Sequence, residues 1–169
     1  MGRRCGGMTA LWGVLLVAAC GPSNNGAQSS APASAPAAAP APPALTDAQK
    51  KALVAQLPPA FQSADLSNGE AKFAVCRSCH AVSPDGEDMT GPNLWSVFGR
   101  KAGSKPGFSY SDDMKAAGWT WDADRIQSWI ANPRAVLAGT KMTYVGMSDP
   151  NDRRDVVAYL KVISSPAPS

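Results

Sequence analysis

Cys76-Arg77-Ser78-Cys79-His80 constrains this chain more than any other stretch. Two thiols lie three positions apart, and the only histidine of the chain follows at once. A single histidine excludes any multi-histidine metal site. The other two cysteines, Cys5 and Cys20, both fall within the first twenty residues. Four cysteines so distributed do not form a disulfide-stapled scaffold. A zinc site at the pentapeptide needs a fourth ligand, and no further Cys or His follows it. A thioredoxin-like dithiol belongs at a strand–helix junction, and no stretch here alternates as a strand.

The same five residues are the attachment signature of a c-type haem. Each thiol adds to one haem vinyl group, the two intervening residues match the vinyl spacing, and the histidine lies under the iron. With no second His, the natural sixth ligand is a methionine thioether, which raises the reduction potential of such centres. Met89, Met114, Met142 and Met147 follow the pentapeptide. Met114 falls in a predicted helix and Met89 comes too soon to cross to the other haem face. Spacing prefers Met142 or Met147 and does not separate them.

Apolar periodicity and capping residues predict an all-α chain. Thr46-Asp47-Ala48-Gln49 opens a short helix that Pro58-Pro59 stops, giving a helical extension over 46–64. The main domain is expected over 65–164. Asp65 or Ser67 caps a helix through Phe73 to Cys76. Ser109 or Ser111 opens another, ended by Gly118. Asp122 opens a third, ended by Asn132-Pro133. Ser148 or Asp149 caps the last, with Pro150 in its first turn. The irregular stretches 81–108 and 133–147 are long enough to wrap something or to carry function. Residues 165–169 read as a disordered tail.

The N-terminus reads as an address. Arg3 and Arg4 precede an apolar run from Met8 to Ala19, too short to span a bilayer comfortably. The run ends in Val17-Ala18-Ala19-Cys20, which resembles the lipobox of bacterial lipoproteins. That resemblance implies removal of residues 1–19 and acylation of Cys20. Residues 20–45 then form a flexible linker. From 21 to 44 there are nine Ala and six Pro, with no charge and no aromatic ring. Such a segment buries too little to offset its ordering entropy. Its 24 residues reach roughly 75 Å if stiff and about 25–30 Å if coiled.

Charge excludes a nucleic-acid binder. The whole chain has 16 Lys+Arg against 13 Asp+Glu, a formal +3, with no long basic run. Loss of Arg3 and Arg4 leaves 14 against 13, close to neutral.

The ordered motifs resemble the class I cytochromes c, near the mitochondrial and alphaproteobacterial type. The resemblance runs over about 67–162 and rests on Gly69, Phe73, Cys76-x-x-Cys79-His80, Thr90-Gly91-Pro92-Asn93-Leu94, Phe98-Gly99-Arg100-Lys101 and Tyr110. It continues through Trp121, Asn132-Pro133, Gly139-Thr140-Lys141-Met142 and Ala158-Tyr159-Leu160-Lys161. It implies the cytochrome c fold, four to five helices wrapped around one covalently bound haem c. It implies that Met142 rather than Met147 pairs with His80 on the iron, and that the Pro92 carbonyl accepts a hydrogen bond from the His80 ring. Arg100, Tyr110 and Trp121 would hold a haem propionate, Thr140 would support the Met142 loop, and Tyr144 would cover the haem edge. The first and last helices of the domain would cross through Gly69, Phe73 and Tyr159.

Departures from the family pattern carry expectations of their own. Trp129 stands where a Tyr usually packs beside the axial Met, and Met114 where an Asn usually joins a hydrogen-bond network. Both changes are expected to remove hydrogen-bonding options there. Trp95 stands where many relatives have a second His. Val75, Ser148 and Asp149 occupy common Lys positions, which thins the basic ring that steers partners. The expected protein is a monomeric, membrane-tethered periplasmic electron carrier, not an enzyme. Its expected partners are redox proteins such as a bc1-type complex, a terminal oxidase or another reductase. The alternatives are a peroxidase-like haem enzyme and a redox-sensing or accessory subunit of an oxidase.

Overall fold

Side-chain caps decide where the helices begin in the computed structural model, which describes residues 44–168. Thr46 forms a capping box with Gln49 and opens α1, Asp47–Val54. Asp65 accepts from the backbone N–H groups of Ser67 and Asn68, at 2.8 and 3.1 Å, and opens α2, Leu66–Arg77. Ser111 caps α3, Asp112–Ala116, and Asp122 caps α4, Ala123–Ala131. Asp149 caps α6, Pro150–Ile163, with Pro150 at the first helical position. Asp65, Asp122 and Asp149 also place negative charge where the helix dipole favours it.

Two short elements depart from the sequence expectation. Asn132-Pro133 ends α4 as expected, but it also starts α5, Pro133–Val136, because the Asn132 side chain accepts from Ala135 N–H at 3.1 Å. Pro59–Phe61 forms a 3₁₀ turn that buries Phe61. The fold of the described residues is all-α; its one extended pairing is an isolated antiparallel bridge, Lys101 with Thr120. The long stretches 81–108 and 137–149 are otherwise irregular. No helix of the described residues is long and apolar enough to cross a membrane. The signal-peptide reading, Cys20 and residues 20–43 of the linker lie outside the described residues. Leu45, assigned to the linker, is half-buried against the core.

The crossing of α2 and α6 organises the core. Gly69 lets the two helices touch: a Cβ there would fall within the Asp155 carbonyl and 2.8 Å from Tyr159 Cβ. One turn on, the Phe73 and Tyr159 rings meet at 5.8 Å between centroids. Beside the crossing, the buried Asp155 carboxylate accepts from Asp65 N–H, Asn68 Nδ2 and Arg154 Nη2, which satisfies a group otherwise costly to bury. Helix α6 is buried along most of its length, from Asp155 through Val162. Helix α4 packs on it through an apolar stripe of Ile126, Trp129 and Ile130, and α1 packs on it through Leu53 and Val54. Since α6 is a common partner of α1, α2 and α4, one edge of the core is left to be closed by the irregular loops.

Candidate functional site

A slot of about 300 Å³ opens between these helices and the two long loops. Its walls are mostly apolar: Phe73, Leu94, Val97, Ile126, Val156 and Leu160 contribute. Into it also project Cys76, Cys79 and His80, from the C-terminal end of α2, and Met142, from the loop before α6. Helix α2 ends at Arg77, and Cys79 and His80 both donate backbone N–H to the Cys76 carbonyl, at 3.1 and 3.0 Å. That tight turn is what brings both thiols and the imidazole to one side.

The His80 ring is oriented from behind. Its Nδ1 lies 2.7 Å from the Pro92 carbonyl oxygen, so Nδ1 carries the proton and Nε2 keeps its lone pair. Gly91 lies flat against the ring: a Cβ there would come within 2.7 Å of Nδ1 and 2.8 Å of Nε2. Burial holds the imidazole below its ordinary pKa, with the Pro92 carbonyl opposing. The neutral ring is the form that ligates a metal. Burial also pushes the Cys76 thiol up to about 11. A thiol so poorly ionised is unsuited to dithiol–disulfide exchange, which relies on a lowered thiol pKa.

Met142 sits at the slot on a supported loop. Thr140, itself buried, accepts Met142 N–H on its hydroxyl at 3.1 Å. Lys141 reaches across to the Ser109 carbonyl at 2.9 Å, joining this loop to the one before α3. Met114 also lines the slot, from α3. Met147 packs against the core without lining the slot, and Met89 is half exposed away from it. Spacing leaves Met142 and Met147 equal; among the described residues, the slot contains only Met142 of the two.

One sequence expectation is corrected here. Trp129 does not remove hydrogen bonding beside the methionine. Its indole Nε1–H donates to Met142 Sδ at 3.1 Å. Indole N–H is a donor with no acceptor capacity, and the ring is buried with that edge turned to the sulfur.

Arg100, Tyr110 and Trp121 line the same slot. The Arg100 guanidinium donates to the Asn93 and Trp95 carbonyls, at 3.1 and 3.2 Å, and forms no ion pair among the described residues. Burial lowers its pKa, opposed by Tyr110 and Asp88. A half-buried cation without a carboxylate partner suits an acidic group entering the slot. Tyr144 lines the mouth, beside the exposed Val75 and Val145.

The residues fit haem c: an apolar slot, two thiols at attachment spacing, one imidazole with a free Nε2, the Met142 thioether with that of Met114 from α3, and an unpaired cation. Trp119 is the residue the sequence reading passed over. It lies two positions before Trp121 on the extended segment opposite Lys101, and residues two apart in extended backbone share a side.

No protein-family model matches the chain. Curated relatives do. Over 101 residues the chain is 46% identical to cytochrome c2 of Rhodomicrobium vannielii, which covers 60% of this chain and 81% of that protein. Over 116 residues it is 38% identical to cytochrome c-554 of Methylosinus trichosporium, covering 69% of this chain and 88% of that protein. It is 40% identical over 98 residues to cytochrome c of the fungus Gibberella zeae, covering 57% of this chain and 92% of that protein. With identities this high over most of each relative, and the slot built as described, the chain belongs to the cytochrome c family, all-α carriers of electrons on one covalently attached haem c.

Proposed function

We propose that the protein is a lipid-tethered periplasmic cytochrome that shuttles single electrons between membrane-bound redox partners. The observation that carries the reading is the convergence of Cys76, Cys79, His80 and Met142 on one apolar slot. Cys76 and Cys79 would carry the thioether bonds to the haem, and His80 Nε2 and Met142 Sδ would ligate its iron. Haem c, when bound, supplies the one-electron couple. The chain does the rest. Pro92 holds the imidazole by its proton, Thr140 holds the Met142 backbone, and Trp129 holds its thioether. Arg100, Tyr110 and Trp121 receive a propionate, and the aliphatic walls exclude water. The mouth beside Tyr144, Val75 and Val145 is where a partner approaches.

A methionine held this firmly closes the iron to outside ligands. Carbon monoxide added to the reduced native protein is expected to bind slowly or not at all. Rapid, stoichiometric binding would instead support a haem enzyme.

The tether is supported by the Val17-Ala18-Ala19-Cys20 motif and the uncharged Ala/Pro run behind it. Joining the domain to a surface raises its effective concentration near partners, toward millimolar for short linkers. That offsets weak charge steering by a near-neutral mature chain. Several basic groups are already paired internally: Lys72 with Asp152 at 2.8 Å and Lys105 with Asp88 at 2.8 Å. Suitable partners are a bc1-type complex as donor and a terminal oxidase or other reductase as acceptor. Cys20→Ala is expected to move the protein from the membrane to the soluble periplasmic fraction. Retention at the membrane after this change sinks the lipid anchor and leaves the electron-carrier reading intact.

A further inference from the structure

Three tryptophans and one arginine form a continuous series that ends on the Met142 sulfur. The Arg125 guanidinium lies 4.8 Å above the Trp119 ring. Trp119 meets Trp121 edge to face, with centroids 6.0 Å apart and planes at 82°. Trp121 meets Trp129 in the same manner, at 5.4 Å and 73°. Trp129 closes the series with its indole N–H on Met142 Sδ, at 3.1 Å.

Two periodicities build this. Arg125 and Trp129 are four residues apart on α4 and so share a face. Trp119 and Trp121 are two apart in extended backbone and share a side. The extended segment is pinned by its main chain: Gly99 N–H donates to the Trp121 carbonyl at 2.7 Å, Ala102 N–H to the Trp119 carbonyl at 2.9 Å, and Trp121 N–H to the Arg100 carbonyl at 2.9 Å. Two indoles of a fixed segment are thus gripped between the cation and the third indole of α4. Edge-to-face aromatic pairs and cation–π contacts are each attractive beyond simple area burial. Together they fix the Trp129 ring about its side-chain torsions.

That fixing matters because the sulfur it faces is on a flexible, unbranched side chain. A thioether has two lone pairs, so one can ligate a metal while the other accepts an N–H. The hydrogen bond holds the methionine in one rotamer and so lowers the entropy lost on ligation. We propose that Trp119, Trp121 and Arg125 are positioning residues that act through Trp129 to hold Met142 at the sixth ligand position. A residue pair at the outer end of the series, remote from the sulfur, thereby sets how easily an outside ligand displaces it.

The proposal rests on the reading of Met142 as the axial ligand. That reading is checked first: the parent must show the charge-transfer absorption of thioether-ligated ferric haem. If it does not, the axial assignment fails and the column falls with it. If it does, cyanide is titrated into the oxidised, haem-loaded protein, where it competes with Met142 for the iron. Trp129→Phe is expected to tighten apparent cyanide binding about fivefold, the effect of one ordinary hydrogen bond. Trp129→Tyr, which restores a donor, should return it to within about twofold of the parent. Trp119→Phe keeps an apolar ring and the fold, and is expected to tighten binding about twofold. In the double variant Trp119→Phe/Trp129→Phe the effect should equal that of Trp129→Phe alone, because both act through one N–H. Unchanged cyanide binding in Trp129→Phe overturns the hydrogen bond. Trp119→Phe with a lowered thermal midpoint but parental cyanide binding, or a double variant whose effects multiply, overturns the column and reduces it to packing.

Discussion

Gly69→Ala is expected to destabilise the haem-loaded protein by about 3 kcal/mol, the upper part of the range for overpacking a close-fitted contact. A single methyl is enough because of what it meets. The added Cβ would fall within the Asp155 carbonyl, 2.8 Å from the Asp155 carbonyl carbon and 2.8 Å from Tyr159 Cβ. None of these atoms lies at the end of a flexible side chain, so none can swing aside. The only relief is to part α2 from α6. Parting them also loosens the slot, since α2 ends in Cys76 and α6 supplies Val156 and Leu160 to its wall. For a domain of this size the midpoint of thermal unfolding should fall roughly 10 °C. Gly99→Ala is the control. Nothing lies within 4 Å of its added Cβ, but its φ of +83° is left-handed. That backbone strain alone should cost about 1 kcal/mol. If Gly69→Ala falls no further than Gly99→Ala, the two helices are not in backbone contact.

The helices of this domain were legible because their caps are side chains with one physical task. Asp65, Asp122 and Asp149 each accept the orphan N–H groups of a first turn, and a short acceptor before an apolar stripe shows that in any sequence. Helix α5 was not legible. Asn132-Pro133 reads as a stop, yet the same two residues are also a cap and an N1 proline, and only the direction of the following chain decides between them. The slot's donors were legible as types and order, since two thiols and a histidine at fixed spacing admit few chemistries. The facing of Trp129 was not. Its identity suggested a lost hydroxyl, whereas its hydrogen bond depends on ring orientation, which is set by Trp121 and α4 rather than by Trp129 itself. The same holds for the charge balance. Lys72 and Lys105 count as positive charge in a composition, but each lies against a carboxylate.

Met142→Ala is expected to give the largest functional effect. Of Met142 and Met147, only the first lines the slot; the second is fixed by its own N–H on the Ile130 carbonyl, at 2.8 Å, with its side chain packed against the core. For Met147 to replace it, the backbone around Gly146 would have to move. Gly146 is held at φ +109°, and a Cβ there would fall within the Ala131 carbonyl. The variant should therefore lose the thioether-to-iron charge-transfer absorption outright, while Met147→Ala keeps it. A thioether donates weakly and favours the reduced ion, so its removal should also lower the reduction potential, on the order of 100 mV within the ~0.8 V span that axial ligands command. Carbon monoxide, which the parent is expected to bind slowly or not at all, should then bind rapidly. The loss has a structural side as well. Trp129 Nε1–H would be left in a buried site without its sulfur, a cost of about 1–3 kcal/mol unless water enters. Ligand loss and destabilisation should therefore appear together in Met142→Ala; Met147→Ala, which trims a side chain packed on the core, should lose some stability and keep the absorption, and Met89→Ala should change neither. Should Met147→Ala instead abolish the absorption, the slot is closed by the other methionine. The indole N–H on Met142 would then be a packing contact with no bearing on the iron.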